Sequence, residues 1–302
     1  MIGVFDSGIG GLSVLKALRA ELPGERFVYV ADSGHAPYGE RDAAHVTGRA
    51  RALTHHLVGL GAQALVVACN TATAAAIHLL RQEHPDLPII GVEPALKPAV
   101  ALSRSGRIGV MATRGTLASP KFEQLLASLQ GQARFVLQPC DGLAWAIENS
   151  VDGSAETSKA LQQACREQVQ ALMHSESQPP DTVVLGCTHY PFAADVLQQL
   201  LGPLVQMVDT GEAVARQTRA RLQGLAERPE SAPGLALLST GDPLTLQQAA
   251  RRWIAPNASA QQVSSLISLT LPNVPPPTTR VTRISLCTPS QRIRCVSGFA
   301  LS

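Results

Sequence analysis

Two cysteines stand at places in the sequence where a thiol could act as an acid or a base. Cys69 follows the apolar run Ala64–Ala68, and Cys187 follows the apolar run Thr182–Gly186, with His189 shortly after it. A free thiol has a pKa near working pH, and the amides at the start of a following helix lower it. A lone free cysteine is commonly a small buried hydrophobe. The paired occurrence, with polar side chains after each thiol, favours proton transfer.

A glycine-rich turn follows the first predicted strand, Ile2–Phe5, and begins with Asp6 and Ser7. Its glycines allow close approach of a ligand, and its amides suit a carboxylate or a phosphate. As a dinucleotide-binding fingerprint the turn is poor, because Ser13 stands at the third glycine position. Asp32 partly mimics the ribose-binding acid of such proteins, but the Asp6 carboxylate would repel a pyrophosphate. Asp6 therefore favours an ammonium ligand or a proton relay.

A second polar loop, residues 31–39, follows another predicted strand and contains glycine, proline and the phenol of Tyr38. A connecting loop is one interpretation of this segment. Its density of turn-forming and polar residues in an apolar region favours a binding loop.

The composition excludes several classes of protein. The 302 residues suffice for two domains, and with 45% hydrophobic and 16% charged residues the chain can bury a core. A net charge of +2 and only 4% aromatic residues argue against a nucleic-acid partner. We find no apolar run of the ~20 residues that a membrane span needs, and the N-terminus is typical of a strand rather than a signal peptide. Six cysteines without a CxxC pair predict reduced thiols in a cytoplasmic protein.

Short apolar runs alternate with helical patterns over the first 240 residues. The predicted strands are Ile2–Phe5, Arg26–Ala31, Ala64–Ala68, Ile89–Val92, Arg107–Ala112, Arg134–Leu137, Thr182–Gly186 and Val205–Val208. The predicted helices include Leu12–Leu22, Asp42–Leu60, Thr73–Glu83, Ser158–Met173 and a last one over roughly Leu244–Ile254. This alternation predicts an α/β fold with mostly parallel sheets covered by helices on both sides.

Two features divide the chain further. The segment Val66–Thr71 resembles Val184–His189, which indicates two related α/β halves. Residues 257–302 are rich in Ser, Thr, Pro and Gln and contain no Asp or Glu, which predicts a disordered or loosely attached tail. An altered reading frame or a fused extension would also fit this change of composition. Cys287 and Cys295 lie in the tail without a nearby His or carboxylate, which argues against a metal site there.

Together these motifs resemble those of the glutamate racemases in the aspartate/glutamate racemase family. The matching segments are Asp6–Gly11, Pro37–Gly39, Ala68–Ala72, Gly91–Ala95 and Gly186–Pro191. The similarity runs in the family's order from residue 1 to about residue 254. It implies two pseudosymmetric three-layer α/β domains with the active site in the cleft between them. By this resemblance residues 1–92 and 206–256 form the first, discontinuous domain and residues 93–205 the second.

The resemblance also implies the chemistry: racemisation of glutamate without a cofactor, which supplies D-glutamate for peptidoglycan. Racemisation needs a base on one face of the α-carbon and an acid on the other. By resemblance, Cys69 takes the proton from D-glutamate and Cys187 takes it from L-glutamate. Asp6 then assists Cys69, and His189 assists Cys187. Glu148 aligns, with a poorer local match, with a further assisting acid.

The substrate-binding positions carry over by the same resemblance. They are Asp6, Ser7, Tyr38, Gly39, Asn70, Thr71, Thr113, Thr116, Thr188 and His189. Phe122 stands where the family often has tyrosine. None of the four lysines lies in these motifs, which agrees with the absence of a pyridoxal-phosphate Schiff base, and we expect no metal.

Other functions stay open from the sequence. An aspartate racemase would use the same mechanism in a pocket shorter by one methylene, a difference that sequence resolves poorly. A non-catalytic protein that binds a DNA topoisomerase needs neither cysteine, and a nucleotide-binding protein is a third alternative. The expected partner is glutamate. Activation by a cell-wall precursor and assembly as a homodimer are family properties that the sequence does not decide.

Overall fold

The structure is a computed structural model, and it describes residues 1–175, 177–223 and 233–263. Its strands are β1 Ile2–Asp6, β2 Arg26–Ala31, β3 Ala64–Val67, β4 Ile89–Gly91, β5 Arg107–Ala112, β6 Arg134–Pro139, β7 Thr182–Leu185, β8 Gln206–Val208, β9 Gly234–Ser239 and β10 Ala260–Gln262. Its helices are α1 Leu12–Glu21, α2 Ala43–Gly59, α3 Asn70–Glu83, α4 Leu96–Leu102, α5 Arg114–Leu117, α6 Pro120–Ala127, α7 Leu143–Glu148, α8 Ala155–His174, α9 Ala194–Leu201, α10 Gly211–Leu222 and α11 Pro243–Trp253. Short 3-10 turns cover Ser33–His35, Tyr38–Glu40 and Tyr190–Ala193.

The strands form two sheets, which confirms the predicted α/β fold. The first sheet has the order β10-β9-β2-β1-β3-β4, and the second has the order β6-β5-β7-β8. Every pairing between described strands is parallel. The order β2-β1-β3-β4 in the first sheet recurs as β6-β5-β7-β8 in the second. The two halves are therefore pseudosymmetric, and the strands before the two cysteines, β3 and β7, occupy equivalent places.

We call the first sheet with α1, α2, α3, α10 and α11 the first lobe, and the second sheet with α4 to α9 the second lobe. Both faces of each sheet are covered, which is why the strands are almost continuously apolar. In β1, Val4 belongs to one buried cluster and Phe5 to another, because successive side chains point to opposite faces. Separate clusters also lie on the two faces of the second sheet. Among the described residues, no helix has the length and apolarity to cross a membrane.

The structure differs from the sequence prediction at two boundaries. β8 pairs with β7 in the second sheet, so the chain returns to the first sheet after Val208 rather than at residue 206. β10 pairs with β9, so the first residues of the predicted tail 257–302 belong to the first sheet. This short polar strand is held by backbone pairing, and the neighbouring Ala258 and Val263 are buried. Residues 264–302, with Cys287 and Cys295, lie outside the described part. The division into domains otherwise stays a prediction.

The pairing of β10 predicts where the chain can be shortened. A chain that ends after Val263 keeps β10, whereas one that ends after residue 256 loses it together with Ala258. We expect the shorter chain to be less stable by about 2 kcal/mol, mainly from the lost burial of Val263. Thermal unfolding of the two truncated chains measures this difference. Equal melting temperatures would contradict it.

Candidate active site

Both candidate thiols lie where a strand of the sheet ends. Cys69 follows β3 and caps the start of α3, where the amide of Ala72 donates to its Sγ at 3.5 Å. Cys187 follows β7 at the equivalent position of the second lobe. The carboxyl ends of parallel strands are where α/β proteins bind ligands. The chain therefore presents one thiol from each lobe.

A cavity of about 300 Å³ lies between the lobes and is lined by both Cys69 and Cys187. The other predicted site residues that line it are Ser7, Tyr38, Gly39, Asn70, Thr71, Thr113, Glu148, Thr188 and His189. Asp6 and Thr116 are absent from the lining and contact residues that belong to it. Within the described residues neither Lys nor Arg lines this cavity. Anionic groups of a ligand would therefore be bound by hydroxyl, amide, imidazole and backbone donors.

Asp6 lies behind Cys69 and is fully buried. Its carboxylate accepts from the amide of Ser7 at 2.7 Å and from the hydroxyl of Thr188 at 3.1 Å. Burial raises the pKa of Asp6 above its ordinary value, although the nearby His189 opposes this. Burial, followed by the charge of Asp6, raises the pKa of Cys69 well above 9.0. The amide at the start of α3 acts in the opposite direction, as expected from the sequence, but burial outweighs it, so the pKa of Cys69 lies above that of a free thiol.

The neighbours of Cys187 are different. Its Sγ lies 3.7 Å from Nδ1 of His189, and Nε2 of His189 lies 2.7 Å from Oε2 of Glu148. Burial lowers the pKa of His189, but the bonds and charges of Cys187 and Glu148 outweigh it and hold that pKa well above 6.5. An imidazolium therefore faces the sulfur of Cys187.

The glycine-rich turn makes room for these partners from the second lobe. A Cβ on Gly8 would lie 2.5 Å from Oε1 of Glu148, and one on Gly10 would overlap the ring of His189. The Glu148 carboxylate also accepts from the amide of Ile9 at 3.2 Å. The space beside these glycines, which the sequence suggested for a ligand, is therefore occupied by the side chains of Glu148 and His189. Glu148, the weakest candidate from the sequence, bridges the first lobe and His189.

Hydroxyls and an unpaired amide complete the cavity wall. The Thr71 hydroxyl lies 3.1 Å from that of Thr113 and 3.5 Å from that of Thr116, which joins the two lobes. Asn70 is 4% exposed, and neither its Oδ1 nor its Nδ2 finds a hydrogen-bond partner in the described chain. Because buried polar groups are almost always paired, this amide is suited to bind a polar ligand.

Two residues behind the Tyr38 loop have a role that the sequence argument missed. The Tyr38 hydroxyl donates to Oδ2 of Asp32 at 2.5 Å, and Arg49 donates to both oxygens of that carboxylate at 2.8 and 2.9 Å. Asp32 is fully buried and lies outside the cavity lining, so it supports the loop and is no ribose-binding acid. Arg49 shares the buried face of α2 with Val46 and Leu53. A charge at an apolar helix position is the signal that could have identified it.

The Glu148–His189 pair predicts a pH-dependent effect on stability. Since the pKa of His189 is raised above 6.5 in the folded chain, the stability that its charge contributes is complete below about pH 6.5 and is lost as the pH rises through the folded-state pKa. We expect Glu148→Gln to lower the free energy of unfolding by about 1–3 kcal/mol near pH 6. The loss should be smaller at the alkaline end of the range in which the chain stays folded. Urea unfolding at both pH values tests this, and a pH-independent loss would contradict it.

Comparison with known proteins gives a consistent result. The Asp/Glu/Hydantoin racemase family model matches residues 2–218. The glutamate racemase of Ectopseudomonas mendocina is 49% identical over 243 residues, which cover 80% of this chain and 89% of that protein. The glutamate racemase of Ralstonia nicotianae is 45% identical over 263 residues, which cover 87% of this chain and 92% of that protein.

Solved structures of glutamate racemases are also similar to this chain. A glutamate racemase isoform from Bacillus anthracis has a TM-score of 0.76 at 32% identity, over 87% of this chain and 97% of that chain. Escherichia coli glutamate racemase, solved in complex with L-glutamate and the activator UDP-MurNAc-Ala, has a TM-score of 0.76 at 31% identity, over 87% of this chain and 97% of that chain. The family match and these identities show that the chain belongs to the Asp/Glu/Hydantoin racemase family and, within it, to the glutamate racemases, which are amino-acid isomerases.

Proposed function

We propose that this chain interconverts L- and D-glutamate without a cofactor, using Cys69 and Cys187 as the two proton-transfer groups. One observation carries the proposal: a sulfur from each lobe lines the same cavity, and the two sulfurs have unlike neighbours. The buried Asp6 lies beside Cys69, and the imidazolium of His189 lies beside Cys187. A base on one side and an acid on the other are what exchange of an α-proton between two faces requires.

The two directions use the same groups in opposite order. With L-glutamate, the thiolate of Cys187 takes the α-proton and the thiol of Cys69 returns one to the other face. With D-glutamate, the thiolate form of Cys69, which a turnover of L-glutamate leaves behind, takes the α-proton, and the thiol of Cys187 returns a different proton to the other face. Asp6 assists proton exchange at Cys69, and His189 with Glu148 assists it at Cys187. Each turnover leaves one sulfur protonated and the other ionised, so no redox partner is consumed.

Substrate binding is assigned to polar residues that line the cavity or lie directly behind its wall. We propose that the ammonium and the two carboxylates of glutamate are held by Asp6, Ser7, Tyr38, Gly39, Asn70, Thr71, Thr113, Thr116, Thr188 and His189. The unpaired amide of Asn70 and the linked threonine hydroxyls support this assignment. Binding by groups from both lobes would also couple closure of the cavity to occupancy.

The proposed cellular role is inferred from the similarity to glutamate racemases. We propose that the product is D-glutamate for peptidoglycan, made in the cytoplasm, where free thiols stay reduced. The Escherichia coli relative is solved with the activator UDP-MurNAc-Ala. By that likeness we propose a cell-wall precursor as a second ligand of this chain. Homodimer formation stays a prediction.

Turnover of each enantiomer in deuterium oxide tests the proposed reaction. Circular dichroism should show loss of signal from both L- and D-glutamate in reducing buffer, with deuterium at the α-carbon of the product. L-aspartate is the control substrate, and its preferential turnover would change the substrate while keeping the mechanism. Absence of turnover with both substrates, with and without UDP-MurNAc-Ala and after truncation at residue 263, would overturn the proposal.

A further inference from the structure

Helix α11 of the first lobe contacts the second lobe close to the Glu148–His189 pair. α11 follows β9 of the first sheet and precedes β10. Arg252 and Trp253, at the end of this helix, both contact residues of the second lobe. Neither residue lines the cavity, and neither has a place in the chemistry described above.

Arg252 binds the chain directly after Glu148. Its Nη1 donates to the backbone carbonyl of Ser150 at 3.1 Å and to that of Val151 at 3.4 Å. Glu148 ends α7, so these carbonyls belong to the turn that follows this helix. Val151 is buried in the core cluster of the first lobe. The end of α7 is therefore tied to the first lobe by a charged hydrogen bond and by an apolar contact.

Trp253 packs on the chain directly after His189. Its ring stacks on that of Phe192, with centroids 3.9 Å apart and planes inclined by 12°. Phe192 lies in the 3-10 turn Tyr190–Ala193, and its amide donates to the carbonyl of His189 at 3.0 Å. Phe192 packs against core clusters of both lobes. The helix end thus contacts the segments that carry both members of the pair.

We propose that the end of α11 is a positioning element for the Glu148–His189 pair and that Arg252 is its positioning residue. The inference rests on the proposed function, because it assigns the effect to proton transfer at Cys187. The guanidinium of Arg252 lies 5.4 Å from the centroid of the Trp253 ring, a cation–π contact that restricts its rotamers. A guanidinium held in this way keeps the turn after Glu148 fixed while His189 exchanges its proton with Cys187.

Arg252→Met tests the proposal, with Arg251→Met as the matched control. Arg251 lies on the same helix and also donates to a backbone carbonyl, that of Ala258 at 2.9 Å, but this acceptor belongs to the first lobe. Both variants lose one positive charge; Arg252→Met loses two guanidinium–carbonyl bonds, and Arg251→Met loses one. We expect Arg252→Met to reduce kcat/KM by on the order of ten- to a hundred-fold. We expect Arg251→Met to keep kcat/KM near the unsubstituted value, apart from any loss of folded protein.

Deuterium isotope effects separate positioning from general loss of structure. The equilibrium constant between enantiomers is one, so kcat/KM must fall equally in both directions. If Arg252 positions the Cys187 side, the step at Cys187 becomes more rate-limiting. The isotope effect on kcat/KM should then rise for L-glutamate deuterated at the α-carbon and fall for the deuterated D-enantiomer. A merely destabilised enzyme keeps both isotope effects unchanged.

Two results would overturn the proposal. One is activity of Arg252→Met within two-fold of Arg251→Met, and the other is a loss of activity with unchanged isotope effects. If Arg252→Met does not fold, Arg252→Lys replaces it, because lysine keeps the charge and can still donate to one carbonyl. The same divergence of isotope effects is expected, at smaller size. Failure of the unsubstituted enzyme to exchange its α-proton with solvent would instead refute the proposed function itself.

Discussion

Cys69→Ser and Cys187→Ser are each expected to reduce racemisation of both enantiomers by on the order of 10³-fold or more. A hydroxyl is a far weaker acid than a thiol, so serine neither forms the needed base nor supplies its proton at a useful rate. Each direction needs both sulfurs, one to take the α-proton and one to return a proton to the other face. The loss should therefore not depend on which enantiomer is the substrate.

Cys165→Ala is the matched control for the two cysteine variants. Cys165 is fully buried on α8 in the second-lobe core and does not line the cavity. Burial raises its pKa to about 12, as expected for a structural thiol. We expect this variant to keep kcat/KM close to the unsubstituted value, with only a modest loss of stability. Circular dichroism of L- and D-glutamate measures all three variants. Residual turnover within ten-fold in either serine variant would contradict a two-thiol mechanism.

A protein that acts only by binding a partner would respond differently. Substitution of Cys69 by serine changes one buried atom, and it leaves the surface charge of the chain unaltered. Binding of a macromolecule should survive that change, whereas turnover should not. The same variant thus separates the catalytic interpretation from the topoisomerase-binding alternative.

Much of the fold could be predicted because parallel sheets covered on both faces leave a strong local signal. The apolar runs at β1, β2, β3 and β5 are all buried strands in the structure. β10 gives no such signal, because Ala260–Gln262 is short and polar and is held by its backbone pairing with β9. A strand that depends on its neighbour rather than on its own side chains cannot be recognised from periodicity.

The electrostatics of the candidate site could be predicted from the sequence even less well than β10. The sequence around Cys69 places it at the start of a helix, and this local feature predicts a lowered thiol pKa. The structure gives the opposite direction, because burial and the charge of Asp6 outweigh the helix amides. Burial between two lobes is a long-range property, and so are the contacts of Glu148 with Ile9 and His189. Motif residues can thus be found from the sequence, whereas their electrostatics depends on partners far along the chain.

Arg49→Met is expected to lower the free energy of unfolding by about 3–5 kcal/mol, because it leaves the carboxylate of Asp32 buried without its guanidinium partner. Asp32 is fully buried, and Arg49 binds both of its oxygens. For a domain of this size the change corresponds to a fall of roughly 10 °C in melting temperature. The carboxylate also accepts from Tyr38, whose loop borders the cavity, so we expect KM for glutamate to rise as well.

Arg51→Met is the control for this prediction, because it lies on the same helix and also forms an ion pair. Arg51 bonds Glu83, but the two side chains are 27% and 28% exposed. Since exposed pairs contribute little, we expect Arg51→Met to cost about 1 kcal/mol or less and to leave KM unchanged. Urea unfolding and steady-state kinetics of the two variants measure the contrast. Equal losses would mean that the buried pair beneath the Tyr38 loop contributes no more than a surface pair.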